Sequence, residues 1–216
     1  MCTPHGESVH IPDGYLSVPW IVGTYTVTLS YLSYAWRKVR GALRGEKAAA
    51  ASVLAAAIFA AQMLNWPLPG GTSLHFVGGA LAGILFGPWV GSLILALVVT
   101  TQCLVFHDGG ITALGANILN MGIVATWTGY LIYKLVRRAV SGEKGIILGS
   151  FLAGWLSIAI AGAVAGIEIG LSPSFPYGIE ITVPVMFGWH FLLGIIEGII
   201  TASVVYYLVK RVGWEL

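Results

Sequence analysis

Between Leu16 and Val209 the sequence is a succession of apolar runs of roughly 20 residues, the length a helix needs to cross the hydrocarbon core of a bilayer. Seven runs can be drawn, over 16–36, 48–66, 73–87, 88–106, 114–137, 145–171 and 180–209. The third is short and ends at Gly87-Pro88, which predicts a tilted or interrupted crossing. Linkers are brief, and no repeat recurs. Only 9% of the 216 residues are charged and 57% are hydrophobic, whereas a soluble domain carries about 25% charge. A chain of this size has too little interior to hide that much apolar surface. The expectation is one all-α integral membrane domain of seven transmembrane helices over 9–216, preceded by an N-terminal extension at 1–8.

The eleven Lys and Arg residues test this division. Arg37, Lys38, Arg40, Arg44 and Lys47 follow the first run; Lys134, Arg137, Arg138 and Lys144 follow the fifth; Lys210 and Arg211 follow the seventh. Seven crossings with the N-terminus outside and the C-terminus cytoplasmic put every one of them in the cytoplasm, as the positive-inside bias requires. An odd number of crossings between the first and last clusters would separate them. The chain therefore reads as a multi-pass protein of the cell membrane. Its net charge of +2 is too small to suggest nucleic acid. Two cysteines, Cys2 and Cys103, form no CxxC pair and imply no disulfide framework.

With that side fixed, the outer face carries His5, Glu7, His10, Asp13, His107, Asp108 and Glu180, with His75 just inside the third run and His190 about two turns into the seventh. No histidine falls on the cytoplasmic side. Neutral imidazoles and carboxylates gathered at an outer mouth suit an arriving divalent cation. Polar residues inside apolar runs are costly and are functional candidates. Gln102, Asn117, Asn120, His190 and Glu197 are the main ones. Asn117 and Asn120 share a helix face. The bland reading of Gln102 and both asparagines is hydrogen-bonded glue between helices; the sharper one is orientation of a metal ligand. Glu197 reads as the partner of a helix neighbour. Ala51, Ala55, Ala56 and Ala60, and Gly162, Gly166 and Gly170, recur at a spacing that lets backbones approach, either inside the chain or against a partner subunit. The alanine face, with Ala51, Ala55 and Ala60, is the preferred docking surface.

Four stretches in order carry a resemblance: His10 to Leu16; Gly70-Gly71-Thr72-Ser73-Leu74-His75 with Gly87-Pro88-Trp89; Gly109-Gly110-Ile111-Thr112 on to Gly122; and Trp189-His190 to Gly198. Together they resemble the NikM/CbiM family, the nickel- and cobalt-specific substrate-capture components of energy-coupling factor importers. The resemblance runs from residue 9 to the end. It implies seven crossings, an outside N-terminus, and Ni²⁺ or Co²⁺ as the transported substrate. The implied partners are a transmembrane coupling subunit, cytoplasmic ATPases and a small accessory membrane protein. It also implies a near-planar set of four nitrogens: a free α-amine, the next amide, that residue's imidazole, and a second histidine. Carried over, these are the amine and amide around Val9 and His10, the His10 ring, and His75. Asp13, Gln102, His107, Asn117, Asn120 and His190 are candidates for supporting that set, Asp13 by orienting the turn at Pro12-Gly14 and His107 as an outer-loop participant. Four nitrogens in a plane suit Ni²⁺ better than the tetrahedral preference of Zn²⁺.

The sequence departs from the family at position 9, which is Val where the family begins with Met, and eight residues precede it. Three explanations stand. The protein starts at position 9 through a GTG codon read as Met; the tail is clipped after translation; or the tail stays and His5 or Cys2 substitutes. No Gly-x-x-x-x-Gly-Lys-Ser/Thr segment occurs, so this chain holds no ATP-binding loop of that kind. A rival is a stand-alone channel or proton-coupled carrier using His190 and Glu197 as a relay. An intramembrane enzyme ranks last, because no His-Glu-x-x-His segment is present.

Overall fold

The computed structural model describes residues 10–68 and 72–215. Helices α1 (Val18–Val39) and α2 (Gly45–Gln62) are followed by an antiparallel hairpin of β1 (Asn65–Leu68) and β2 (Thr72–His75), with Asn65 opposite His75. Then come α3 (Gly79–Phe106), α4 (Leu114–Asn117), a wide π segment (Ile118–Val124), α5 (Ala125–Ala139), α6 (Gly142–Gly170) and α7 (Ile179–Tyr207), which ends in a π turn at Leu208–Val212. Among the described residues three helices, Gly79–Phe106, Gly142–Gly170 and Ile179–Val212, are long and apolar enough to cross a membrane.

The structure corrects two expectations. The run at 73–87 is not helical from its start: the hairpin and an extended stretch occupy it as far as Gly78, and helix begins at Gly79. Its physical cause is a carboxylate. Glu197 accepts hydrogen bonds from the Val77 and Gly78 amides at 2.8 and 2.9 Å, and Gly78 adopts φ 76°, a left-handed turn that leads into α3. Beyond it, α3 is interrupted at Gly87, where φ 77° and ψ 163° leave the helical region and Pro88 withholds an amide. A Cβ on Gly91 would lie 2.9 Å from the backbone of Ala82 and Gly83, so the stretch after the break folds back along the stretch before it. The first arm, 79–86, is then only about 12 Å long.

The second correction concerns α2. Ala51 and Ala55 are buried with Ile58 and Gln62 against the rest of the bundle, while Ala56 and Ala60 lie on the exposed face. A small-residue docking surface on α2 would therefore be read from Ala56 and Ala60, not from Ala51 and Ala55. The glycine stripe of α6 is settled inside the chain. Cβ atoms at Gly162, Gly166 and Gly170 would run into His190, Thr182–Val183 and Ile179 of α7.

The bundle has two chemically distinct ends. One cluster joins Val39, Ala51, Leu85, Phe86, Tyr133, Ile146 and Val205, bringing together the α1–α2 turn, the reversal at Gly87, the α5–α6 turn and the C-terminal segment. Every Lys and Arg lies in or beside those segments. There Lys210 pairs with Glu143 at 3.5 Å, Tyr206 donates to the same carboxylate, and Arg137 donates to the Gly142 carbonyl at 2.8 Å. Lys38 sits over Trp89, 4.5 Å from the ring centre. The opposite end is closed by Ile11, Leu16, Ala113, Ala116, Ala165 and Ile169. The histidines of interest are at or below that end.

Candidate metal centre

Residues 10–17 lie across the closed end and are held there by the loop and helix that follow α3. Asn117 grips Ile11 from both sides: its Oδ1 accepts from the Ile11 amide at 3.0 Å and its Nδ2 donates to the Ile11 carbonyl at 3.1 Å. The Gly110 amide donates to that carbonyl as well, at 2.9 Å. Asp13 accepts from the Thr112 amide and hydroxyl at 2.7 and 2.5 Å. Two adjacent glycines make the approach possible. A Cβ at Gly109, whose φ is +90°, would lie 2.8 Å from His10 Cβ, and one at Gly110 would lie 2.2 Å from the Asp13 nitrogen. Any side chain there would lift His10 from its seat.

His10 and His75 meet edge to face, ring centres 5.1 Å apart and planes at 73°. Both are buried, at 6% and 7% exposure. Each ring places Nδ1 by a main-chain carbonyl: His10 by Asp108 at 3.3 Å, His75 by Phe76 at 2.9 Å. His190 does the same with Met186 at 2.6 Å. A carbonyl only accepts, so in the His75 and His190 pairs Nδ1 carries the proton and Nε2 the lone pair. A cavity of about 80 Å³ opens between them, lined by His10, His75, His190, Asn117, Asn120 and Met121. Gly162 gives His190 its room, since a Cβ there would sit 2.7 Å from the ring.

Burial pushes the His10 imidazole below its ordinary value near 6.5, against the raising effect of the Asp108 carboxylate and carbonyl. A neutral imidazole is what a metal requires. For Asp13, burial raises the carboxyl, but hydrogen bonds from Thr112 and Ile111 outweigh it and hold the group below the usual range. Asp13 is thus an anion spent on bracing the turn.

The candidates named from sequence separate into three groups. His10, His75, His190, Asn117 and Asn120 line one cavity. Asp13 braces the segment that carries His10. Gln102 and His107 are elsewhere: Gln102 is buried with its Nε2 4.0 Å from Met63 Sδ, and His107 is exposed, ending α3 with φ 57°. Val9, with Cys2 and His5, lies outside the described residues. Among the described residues no group of three or more His, Cys, Asp or Glu side chains is arranged to hold a metal. Two imidazoles alone are a partial set.

Glu197 bonds backbone amides rather than a helix neighbour's side chain, and so ties α7 to the segment that carries His75. Sequence reasoning passed over Glu168, which lies in α6 at 2% exposure and accepts from Asn120 Nδ2 at 2.6 Å. The signal was available, because an ionisable residue inside an apolar run is a functional candidate.

Residues 10–216 match the family described as the cobalt uptake substrate-specific transmembrane region, CbiM. The chain belongs to the CbiM family. This CbiM chain is 53% identical over 201 residues to a protein of Archaeoglobus fulgidus provisionally named as the fused nickel transport protein NikMN, covering 93% of this chain and 65% of that one. It therefore spans just under two thirds of that relative. A provisionally named metal transport protein of Haloquadratum walsbyi is 45% identical, with 93% and 89% covered. A crystal structure described as a truncated transition metal transporter superposes with a TM-score of 0.88 at 36% identity, covering 94% of this chain and 99% of that one.

The clamp on Ile11 makes a direct prediction. Asn117→Leu removes the amide that places His10 while keeping side-chain bulk. It is expected to weaken Ni²⁺ binding about 10–100-fold, the usual cost of losing a residue that orients a ligand. Titration of the purified chain in detergent reads it, and an unchanged affinity would remove Asn117 from the site.

Proposed function

We propose that this CbiM chain captures Ni²⁺ or Co²⁺ at the outer membrane surface, as the substrate-specific component of an energy-coupling factor importer. The observation that carries the reading is the buried His10–His75 pair. It sits on a cavity that three imidazoles and two carboxamides share with apolar side chains, at the end of the bundle farthest from every Lys and Arg. The one-sided charge supports an outside N-terminus and seven crossings, the third made by the extended stretch before Gly78 together with the 79–86 arm and the fourth by the helix after Gly87. Names of relatives in two lineages, nickel transport and metal transport, agree with the substrate class.

The donors are nitrogen: the amine and amide around Val9 and His10, the His10 ring, and His75. Only Nδ1 of His10 can close a six-membered ring with that residue's own amide nitrogen, so chelation uses Nδ1. Its contact with the Asp108 carbonyl, 3.3 Å, lies beyond the ordinary hydrogen-bond range and is cheap to give up. His75 binds through Nε2, its Nδ1 proton staying on Phe76, the usual arrangement for a metal-ligating imidazole. A start at position 9, or removal of 1–8, supplies the free amine. A coupling subunit, ATPases and a small accessory membrane protein supply the energy. The proton-relay alternative lacks comparable support, because Glu197 gives its oxygens to Val77 and Gly78 and His190 gives its proton to Met186.

N-terminal mass analysis combined with Ni²⁺ titration and absorption tests the donor set. A chain starting at position 9 is expected to bind one Ni²⁺ with the ligand-field spectrum of planar nitrogen coordination. A chain retaining 1–8 with the same spectrum and affinity would overturn the amine as a donor. Metal uptake by this chain alone in vesicles, without ATP or partners, would overturn the importer reading.

A further inference from the structure

Glu168 is a carboxylate inside the apolar body of the protein, and nothing in the capture site as described uses it. It follows Ala165 on the cavity-facing side of α6. All eleven Lys and Arg residues belong to the opposite end of the bundle, so no basic side chain neutralises it. A charge in so apolar a setting is expensive without a counter-ion. Its recorded bond is to Asn120 Nδ2, at 2.6 Å.

That bond orients Asn120. A carboxylate accepts, so the amide nitrogen turns toward Glu168 and Oδ1 turns away. Asn120 is 4% exposed and lines the cavity with His10 and His75. Its Oδ1 has no hydrogen-bond partner among the described residues. A buried carbonyl oxygen in that position is a ready acceptor for whatever enters the cavity carrying N–H or O–H groups.

We propose that Glu168 is the counter-charge of the captured dication and acts through Asn120, whose Oδ1 accepts a hydrogen bond from an N–H or water on the metal. The role rests on the capture site argued above. Imidazole and amine donors are neutral, and one deprotonated amide offsets only half of a double positive charge. Glu168 offsets the remainder, and the low dielectric keeps its field effective over a distance at which water would screen it. The arrangement favours a divalent over a monovalent guest without adding a ligand, and so leaves the nitrogen plane undisturbed. Glu168 is thus a positioning and charge-balancing residue, not a donor.

The test is a Ni²⁺ titration, followed by absorption, of the purified chain starting at position 9, in detergent, for wild type, Glu168→Gln, Glu168→Asp and Asn120→Ala. Glu168→Gln is expected to bind about 10–100-fold more weakly with the same ligand-field spectrum. Glu168→Asp, which keeps the charge, is expected to recover most of that loss. Asn120→Ala keeps Glu168 but severs its link, so it is expected to weaken binding similarly and covers the case in which Glu168→Gln does not fold. Two results would overturn the role while leaving the capture site intact: unchanged affinity in Glu168→Gln, or an altered spectrum with Glu168→Asp no better than Glu168→Gln, which marks a packing residue. Failure of the wild-type chain to bind Ni²⁺ would overturn the site itself and this role with it.

Discussion

His75→Ala is expected to abolish measurable capture of Ni²⁺ and Co²⁺. His75 and His10 are the imidazoles that meet face to edge at the cavity, 5.1 Å between ring centres. The other nitrogens of the proposed set belong to the chain start, around Val9 and His10. Loss of one of four donors from a planar site opens a coordination position to water and removes the anchor between the N-terminal segment and the hairpin. A weakening of at least about 100-fold, or roughly 2.7 kcal/mol, follows. The fold should survive, since among the described residues the ring makes one hydrogen bond, to the adjacent Phe76 carbonyl. Metal content by mass spectrometry and a melting curve on the same preparation separate the two effects. Bound Ni²⁺ at wild-type levels in a folded His75→Ala chain would mean that the pair is not a metal site.

Replacing Glu197 carries the largest expected cost in stability. Its two oxygens hold the Val77 and Gly78 amides, and the residue is 4% exposed. Glu197→Leu strands both amides where water cannot reach. Each unsatisfied buried donor costs about 1–3 kcal/mol, so the pair loses about 2–6 kcal/mol. The damage is directional as well. The freed segment is the one that carries His75 two residues earlier, so metal affinity falls together with thermal stability. Glu197→Gln keeps one carbonyl acceptor and should lie between wild type and Glu197→Leu on both measures. That ordering, followed by melting temperature in detergent and by Ni²⁺ titration, distinguishes an anchor from a general packing residue. A Glu197→Leu chain as stable as wild type would show that the amides find other partners.

These two residues also show where sequence reasoning reached and where it stopped. His190, Asn117 and Asn120 drew notice singly, because polar side chains inside apolar runs are rare, and His10 and His75 through the resemblance; that all five line one cavity was not legible. In sequence Asp13 reads as orienting its own Pro12–Gly14 turn, whereas its carboxylate accepts from the Thr112 amide and hydroxyl, 99 positions away. His107 looked similar to His10 on the same outer side, yet it caps α3 and faces outward. Gln102 falls on the same helix but away from the cavity. Distance across the bundle, not residue type, separated them. Glu197 was noticed with the wrong kind of partner: backbone amides 119 and 120 positions away leave no trace in a local pattern.

Apolar runs of bilayer length, the glycine-proline break at 87–88 and the gathering of every cation into three clusters were fixed along the chain, because each depends on residues close together or on a count. They set the helical class and the two unlike ends. The return of α3 upon itself, the hairpin where a helix was expected, and the inward turn of Ala51 and Ala55 came from contacts made after folding. So did the seating of Ile11 between Asn117 and Gly110, and the carboxylate of Glu168 behind Asn120. Those outcomes depend on hydrogen bonds and close approaches between segments from nine positions apart, as in Gly91 against Ala82, to 120, as in Glu197 and Val77. A buried amide must find an acceptor wherever the packed chain happens to offer one, and local sequence pattern does not carry that information.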